Sequence, residues 1–393
     1  MRSVCLRVSR GGCSFGAGYP ALPQGVNGIA RIPPHTISVL ASVNEHCFAH
    51  GRQKCVIVDR VPAGYHALVK TMNAIVRDEY GLPDVLRFEE VAIPTIEDDQ
   101  MLVRVQASSV NAAEWHMMTG EPYLVHLESG LRRPKRRGLG GDIAGTVEAV
   151  GSDVDGFEVG DEVISETGSA AYAEYAAVRP ANTAKKPSGV SFEHAGALPI
   201  AGLTALQGLR DSGKLQTGQH VLINGASGGV GTFAIQVAKA LGAEVTAVCS
   251  SRNVEAATRL GSDYVIDYTK KDFMTEEIRY DLLFDVPAIG SIAGCRKVLK
   301  PNGRYVAVGG PKGKWLGPLP RLVSAKLAFL GRSQTMSFFL AKANSEDLRY
   351  LAELTAAGKI IPEIEATYPL SETPDALRRF GRGHVQGKIV IKV

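Results

Sequence analysis

Residues 221–244 read VLINGASGGVGTFAIQVAKALGAE. Val221, Leu222 and Ile223 form a short apolar run, a glycine-rich turn follows, and Phe233, Ile235, Val237, Ala238 and Leu241 then recur at roughly helical spacing until Gly242 stops the helix. The pattern predicts a strand, a tight turn and a helix, with a second strand, Glu244–Cys249, beginning at once. Glycine also marks ordinary turns, so the turn alone carries little weight. The order strand, turn, helix, strand is what a dinucleotide-binding unit requires. In such a unit the N–H groups of Ser227, Gly228, Gly229, Val230 and Gly231 would approach a pyrophosphate lying on the partial positive charge of the helix N-terminus.

The end of the second strand, VTAVCSSRN at 245–253, speaks to the identity of the dinucleotide. A carboxylate about twenty residues past the turn would accept hydrogen bonds from a ribose 2′-OH. It would also repel a 2′-phosphate. Ser250, Ser251 and Arg252 stand there instead, two hydroxyls and a guanidinium that can all donate to phosphate oxygens. NADPH is therefore the expected cofactor. The same residues also suit a cap for the next helix, with Asn253 as N-cap, and the two roles are compatible.

The chain has 393 residues, 45% hydrophobic and 21% charged, without an apolar run long enough to cross a bilayer. A globular protein of two domains is expected, with no nucleic-acid partner. Cys5, Cys13, Cys47, Cys55, Cys249 and Cys295 show neither disulfide-like nor zinc-like clustering, which fits a reducing compartment. The charge is uneven. Residues 1–71 carry eight Lys and Arg against two acids, whereas the rest of the chain is slightly acidic. Such an extension fits an organelle-targeting segment, mitochondrial or other, or an upstream stretch outside the working protein with Met72 as its natural start. Its length, its Pro and Gly content and its weak amphipathicity favour the second alternative, and with it a cytoplasmic protein.

Residues 72–198 are strand-rich, with LRFEEVAIP, QMLVRVQASSV, GDIAGTVEAVG, DEVISE and AAYAEYAAV separated by Gly, Asp and Pro turns, and read as a β-barrel-like domain. Residues 199–336 alternate strands with helical text, the pattern of a doubly wound parallel sheet. Residues 337–393 return to mixed text and end in GKIVIKV, a strand short enough to join the first domain. The expected fold class is thus α/β, with the nucleotide-binding sheet inserted into the other domain.

With SSVNAAEWHMMTG, GGDIAGTVEAVGSDVDGFEVGDEV, ALPIAGLTAL, NGASGGVG, CSSRN, VIDY, VAVGG and the terminal GKIVI in place, the chain from Met72 to Val393 resembles the medium-chain dehydrogenase/reductase superfamily, specifically its zinc-free quinone oxidoreductase branch. The resemblance implies a GroES-like catalytic domain around a Rossmann domain. Where the zinc alcohol dehydrogenases of that superfamily supply Cys and His-Glu ligands, this chain has Asn111, Gly141 and Asp142, a poor donor set for catalytic zinc. No metal is expected. The resemblance further implies that Asn111 faces nicotinamide and acceptor, its amide able to donate to a carbonyl oxygen where charge develops, unless it is only a turn residue. Thr204 matches a nicotinamide-contacting position or is packed core, and Tyr268 matches the tyrosine beside the adenosine 2′-phosphate or is a half-buried strand-end residue. Gly309 ends a strand at the ligand-binding edge of the sheet. Lys388 either lies close to the cofactor or belongs to a solvated face, and Phe339 completes the expected cofactor contacts.

Without a Lewis acid, alcohol oxidation is a poor assignment, whereas reduction of a quinone or another α,β-unsaturated carbonyl spreads the negative charge by conjugation. The alternatives are an enoyl-thioester reductase and a non-catalytic NADPH-binding sensor or interaction protein. Two features concern partners. Residues 312–332 carry five Lys or Arg and no acid, interleaved with apolar residues, which suits peripheral contact with an anionic membrane or a helix in the pocket wall or dimer interface. Ser337–Ala341 read as an apolar edge strand, and a homodimer through that strand is expected.

Overall fold

The computed structural model of the protein describes residues 70–310, 317 and 319–393, together with three short strands nearer the N-terminus. The chain forms two units, Met1–Thr71 and Met72–Val393. In the first, Val4–Ser9 pairs antiparallel with both Gly12–Phe15 and Lys54–Val58. Apart from Lys70 and Thr71, the other residues of the basic extension lie outside the described residues, as do Trp315 and Leu316 of the basic-apolar segment.

The second unit is α/β and holds two large sheets. One has six strands in the spatial order Tyr264–Asp267, Glu244–Cys249, His220–Asn224, Tyr280–Asp285, Leu299–Ala307 and Thr335–Phe338. Every pairing in it is parallel. Chain order therefore reverses between His220–Asn224 and Tyr280–Asp285, the switch point where a doubly wound sheet opens its ligand crevice. The apolar run at Val221–Ile223 is buried because helices cover both faces there. Helix Gly229–Ala240 is buried on nearly all sides, its Phe233, Ile235 and Val237 joining one core with Leu203 of helix Pro199–Gln207 and Leu351 of helix Ser345–Ala356.

The GroES-like sheet has seven strands. Its path runs through Thr183–Lys185, Glu162–Glu166, Asp142–Val150, Met101–Ser109, Lys388–Lys392 and Ile364–Pro369, with Tyr175–Val178 also on Met101–Ser109. The terminal GKIVIKV text therefore supplies a strand between segments far away in sequence. Val390, Ile391 and Lys392 pair antiparallel with Ser109, Ser108 and Ala107.

The nucleotide sheet runs two residues past the expected boundary at 336. Its last strand is Thr335–Phe338, shorter and earlier than Ser337–Ala341. The reason is packing: a Cβ on Gly208 would lie 2.4 Å from the Phe284 ring and 2.8 Å from the Phe339 ring, so both rings close on this glycine and Phe339 turns inward. Helix Leu319–Phe329 covers the neighbouring strand, with Phe329 stacked on Tyr305 at 5.9 Å, while Leu319, Val323 and Leu327 stay exposed. No helix among the described residues is long and apolar enough to cross a membrane.

A backbone contact joins the segment leading into strand Lys388–Lys392 to the glycine-rich turn. Gly387 donates its N–H to Ser227 O at 2.8 Å, has φ 71°, and leaves no room for a side chain, since a Cβ would stand 2.2 Å from Glu363 O. Gly387→Ala should lower stability by about 1–3 kcal/mol in urea unfolding, the scale of one strained backbone position. An unchanged midpoint would mean that the segment relaxes without cost.

Candidate active site

The glycine-rich turn is shaped by contacts only glycine permits. Gly225 has φ 80°, and a Cβ there would lie 2.8 Å from Pro287. A Cβ on Gly231 would lie 2.2 Å from Gly225 O, so helix and strand approach too closely for alanine. Gly228 is different. A Cβ on it would meet only Gly225 O, at 3.8 Å, so its outer side is open. It stands at the N-cap of helix Gly229–Ala240 without a side-chain cap, which leaves first-turn N–H groups for a ligand. Ser227, Gly228, Gly229, Val230 and Gly231 thus form a cradle that a dinucleotide pyrophosphate fits. Gly309 closes against the same crevice edge, its N–H on Val286 O at 3.0 Å.

Ser250, Arg252 and Tyr268 come together because their strands pair Cys249 with Asp267. Tyr268 is 51% exposed, and its N–H bonds Cys249 O at 3.0 Å. Arg252 donates one N–H to His384 O at 2.8 Å. Asn253 donates to Ser250 Oγ at 3.1 Å and makes no side-chain cap of its own, contrary to its expected capping role. A carboxylate is also present here, brought by the neighbouring strand. Asp267 accepts from Ser251 Oγ at 2.5 Å, and its hydrogen bonds from Ser251 and Thr269 hold its pKa far below the usual carboxylate range.

The third group is a buried polar cluster. Asn111 is 7% exposed at the start of helix Ala112–Thr119. Glu114 accepts from the N–H groups of Asn111 at 2.7 Å and Gly141 at 2.9 Å. Asp142 accepts from Ser109 Oγ at 2.5 Å, Asn111 Nδ2 at 2.8 Å, the Ile200 N–H at 2.9 Å and Lys388 Nζ at 3.3 Å. Lys388 also donates to Asn111 Oδ1. Two expectations change accordingly. Lys388, 2% exposed, is on no solvated face, and the Asn111 amide is engaged by Asp142 and Lys388 rather than turned outward. The cause is the buried Asp142 charge, which gathers every donor within reach.

A cavity of about 470 Å³ adjoins this cluster, with Glu114, Gly141, Glu166 and Ile200 in its wall. Burial, helped by Asp142, pushes the Glu114 carboxyl above its ordinary range. Burial, with Asp142 and Glu114 adding to it, pushes Glu166 up to about 7. Thr204 lies one turn beyond Ile200 and gives its hydroxyl to Ile200 O at 2.6 Å. Phe339 is half-buried and packs its ring against the core at Gly208. Among the described residues no group of three or more His, Cys, Asp or Glu is placed to hold a metal ion. Sequence reasoning singled out Lys388 and named Asp142 at a metal-ligand position, but it missed Glu114 and Glu166, whose burial beside them no local pattern reveals.

Residues 260–391 match the family described as zinc-binding dehydrogenase, and residues 97–188 the one described as alcohol dehydrogenase GroES-like domain. The mitochondrial NAD(P)H oxidoreductase RTN4IP1 of Mus musculus is 34% identical, over 82% of this chain and 89% of its own length. The chloroplast envelope quinone oxidoreductase homolog of Arabidopsis thaliana is 31% identical, over 82% of this chain and 99% of its own. Among solved structures, the quinone oxidoreductase from Coxiella burnetii aligns with a TM-score of 0.73 at 32% identity, covering 82% of this chain and 100% of its own.

The raised Glu166 carboxyl has a sign that stability measurements can read. Between the ordinary carboxylate range and about 7 the folded chain holds a proton that the unfolded chain releases, so this group's contribution falls as pH rises through that window. Glu166→Gln should therefore gain about 2 kcal/mol on the wild type between about pH 5 and about pH 8. Parallel stability–pH curves for the two proteins would contradict the buried, ionisable assignment.

Proposed function

Since the chain belongs to the medium-chain dehydrogenase/reductase superfamily, in its quinone oxidoreductase-like branch, and is an oxidoreductase with a nicotinamide cofactor, we propose that it uses NADPH to reduce quinones or other α,β-unsaturated carbonyl compounds without zinc. The observation that carries the reading is Lys388. Its ammonium stands on Asn111 Oδ1 and Asp142 Oδ2, the two oxygen-bearing side chains at the positions that correspond to metal ligands in zinc relatives. An internal cation thus meets the charge that an external one would otherwise balance.

A nicotinamide dinucleotide with its pyrophosphate in the cradle would supply a hydride for the acceptor's conjugated system. The protein's part is to bind, orient and balance charge. Ser227 to Gly231 hold the pyrophosphate, and Lys388, whose side chain passes within about 3 Å of the space beside Gly229, joins the cradle to the buried cluster. Asn111 holds Lys388 and Asp142 in register, and Thr204 supports Ile200 in the cavity wall. Glu114 and Glu166, held partly protonated near neutral pH by burial, can return a proton to the reduced acceptor. Ser250, Arg252 and Tyr268 receive the 2′-phosphate, with Arg252 its charged donor.

The alternatives are an enoyl-thioester reductase and a non-catalytic NADPH-binding protein. NADPH oxidation with a panel of quinones and enones separates them: tight NADPH binding without turnover on any of them would leave the binding protein. Zinc in stoichiometric amount in chelator-washed, active protein would overturn the metal-free reading. Arg252→Ala should weaken NADPH by about 1–3 kcal/mol and leave NADH nearly unchanged, whereas equal losses would remove Arg252 from phosphate recognition.

Two further parts of the proposal concern setting. The mitochondrial and chloroplast relatives favour an organelle over the cytoplasm for the basic extension. Among the described residues, strand Thr335–Phe338 has a sheet neighbour on one side only, with Phe338 and Leu340 exposed beside it, which supports a homodimer that continues the sheet; the exposed apolar edge of helix 319–329 then remains for peripheral contact. Light scattering at micromolar concentration should give twice the chain mass, and Phe338→Asp should move it towards one. A wild-type monomer at all accessible concentrations would end the dimer proposal.

A further inference from the structure

Arg77 is a buried cation without a counter-charge. It is 2% exposed, follows strand Thr71–Val76, and forms part of the wall of the cavity that also holds Glu114 and Ile200. Its Nη1 donates to Met117 O, and its guanidinium carbon lies 5.4 Å from the centre of the Tyr80 ring. Its Nε, equally buried, has no hydrogen-bond partner. No carboxylate pairs with it among the described residues. Burial pulls its pKa down to about 10, which still leaves a full positive charge at neutral pH.

The next chain segment against it is the basic run LRRPKRRG at 131–138, joined through Arg77 N–H to Arg137 O at 2.9 Å. The members of that run differ. Arg137 is neutralised by Asp78 at 2.7 Å and Glu89 at 2.9 Å. Lys135 and Arg136 are exposed, share the cavity wall with Arg77, and have no acidic partner among the described residues; Arg136 donates instead to Ser169 Oγ, at 2.8 Å. The acids of the same wall do not cancel them. Glu114 bonds backbone N–H groups, and Glu166 is pushed up to about 7 by burial, while Glu128 is exposed and bonded to none of these cations.

Three cations share one wall, and the buried one has an unpaired donor, so the wall favours an anion. We propose that the cavity takes acceptors bearing a carboxylate, which lies against the part of the wall formed by Arg77, with Lys135 and Arg136 beside it, while the conjugated carbonyl lies towards Glu114. The inference rests on reading the cavity as the acceptor site. It narrows the substrate class from quinones and enones in general to those carrying an anionic group.

The test uses the full chain and a matched pair of enones, para-carboxybenzylideneacetone and its methyl ester. With NADPH, the acid should exceed the ester in kcat/KM by about tenfold or more, the scale of one charge-assisted hydrogen bond. Calorimetric titration of both compounds into the NADP⁺-saturated protein should show the same preference in affinity. Arg77→Met should bring both acid-to-ester ratios close to one, with cofactor fluorescence titration reporting whether the fold is kept. Should Arg77→Met not fold, Lys135→Ala combined with Arg136→Ala should lower the ratios severalfold. Equal affinity for acid and ester in the wild type, or ratios that the variants leave unchanged, would overturn the subsite. Preferential binding of the acid with no turnover of either compound would support the subsite and defeat the reductase reading instead.

Discussion

Lys388 puts one ammonium between Asn111 and Asp142, residues more than 240 positions earlier in the chain, in a place almost without water. Removing charges from water is costly, and the cost is recovered only when geometry and additional hydrogen bonds are good. Here Asp142 has four donors, from Ser109, Asn111, Ile200 and Lys388, so the pair is embedded in a satisfied network rather than isolated. The residue just before Lys388 bonds Ser227 in the glycine-rich turn. Two consecutive residues therefore fix both the cradle and the acid cluster. A displacement of this strand end would move cofactor and acceptor sites together, which makes their alignment a property of one short segment.

Charge in the site is unbalanced by design of its burial. Glu114 and Asp142 share a single lysine with Glu166 close by, and desolvation raises Glu114 and Glu166 towards neutrality while Asp142 keeps the donors. The wall towards Arg77 has the opposite imbalance. An acceptor in this cavity would meet a proton-bearing side and a cationic side, and such asymmetry orients a molecule with two unlike ends more strongly than shape alone.

What could be recognised in the sequence was what local sterics dictate. Gly225 is required by its own φ of 80° and Gly231 by the approach of Gly225 O, so the turn is visible as text, and Val221–Ile223 are apolar because a parallel strand is covered on both faces. The pairing of Cys249 with Asp267 sets the chain at Ser250 beside the chain at Tyr268. Long-range charge pairing left no comparable mark. Lys388 could equally have faced water, Arg77 reads as the first exposed residue after an apolar strand, and the Asp267 to Ser251 bond depends on which strands become neighbours. Phe339 misled for a related reason: three successive apolar residues do not reveal that the middle one turns inward onto Gly208.

The interleaving of the two sheets also governs how the chain can be made. The nucleotide sheet is continuous in sequence, and its six strands can assemble in the order of their synthesis. Strand Met101–Ser109 cannot complete its pairing until Val390–Lys392 has been synthesised, and Asn111 waits for a lysine 277 positions downstream. At ribosomal elongation speeds of about 5–20 residues per second, that interval lasts tens of seconds. During it the first sheet carries an open backbone edge beside a buried aspartate that still lacks its cation. The nascent chain is thus structurally and electrostatically unfinished for most of its translation.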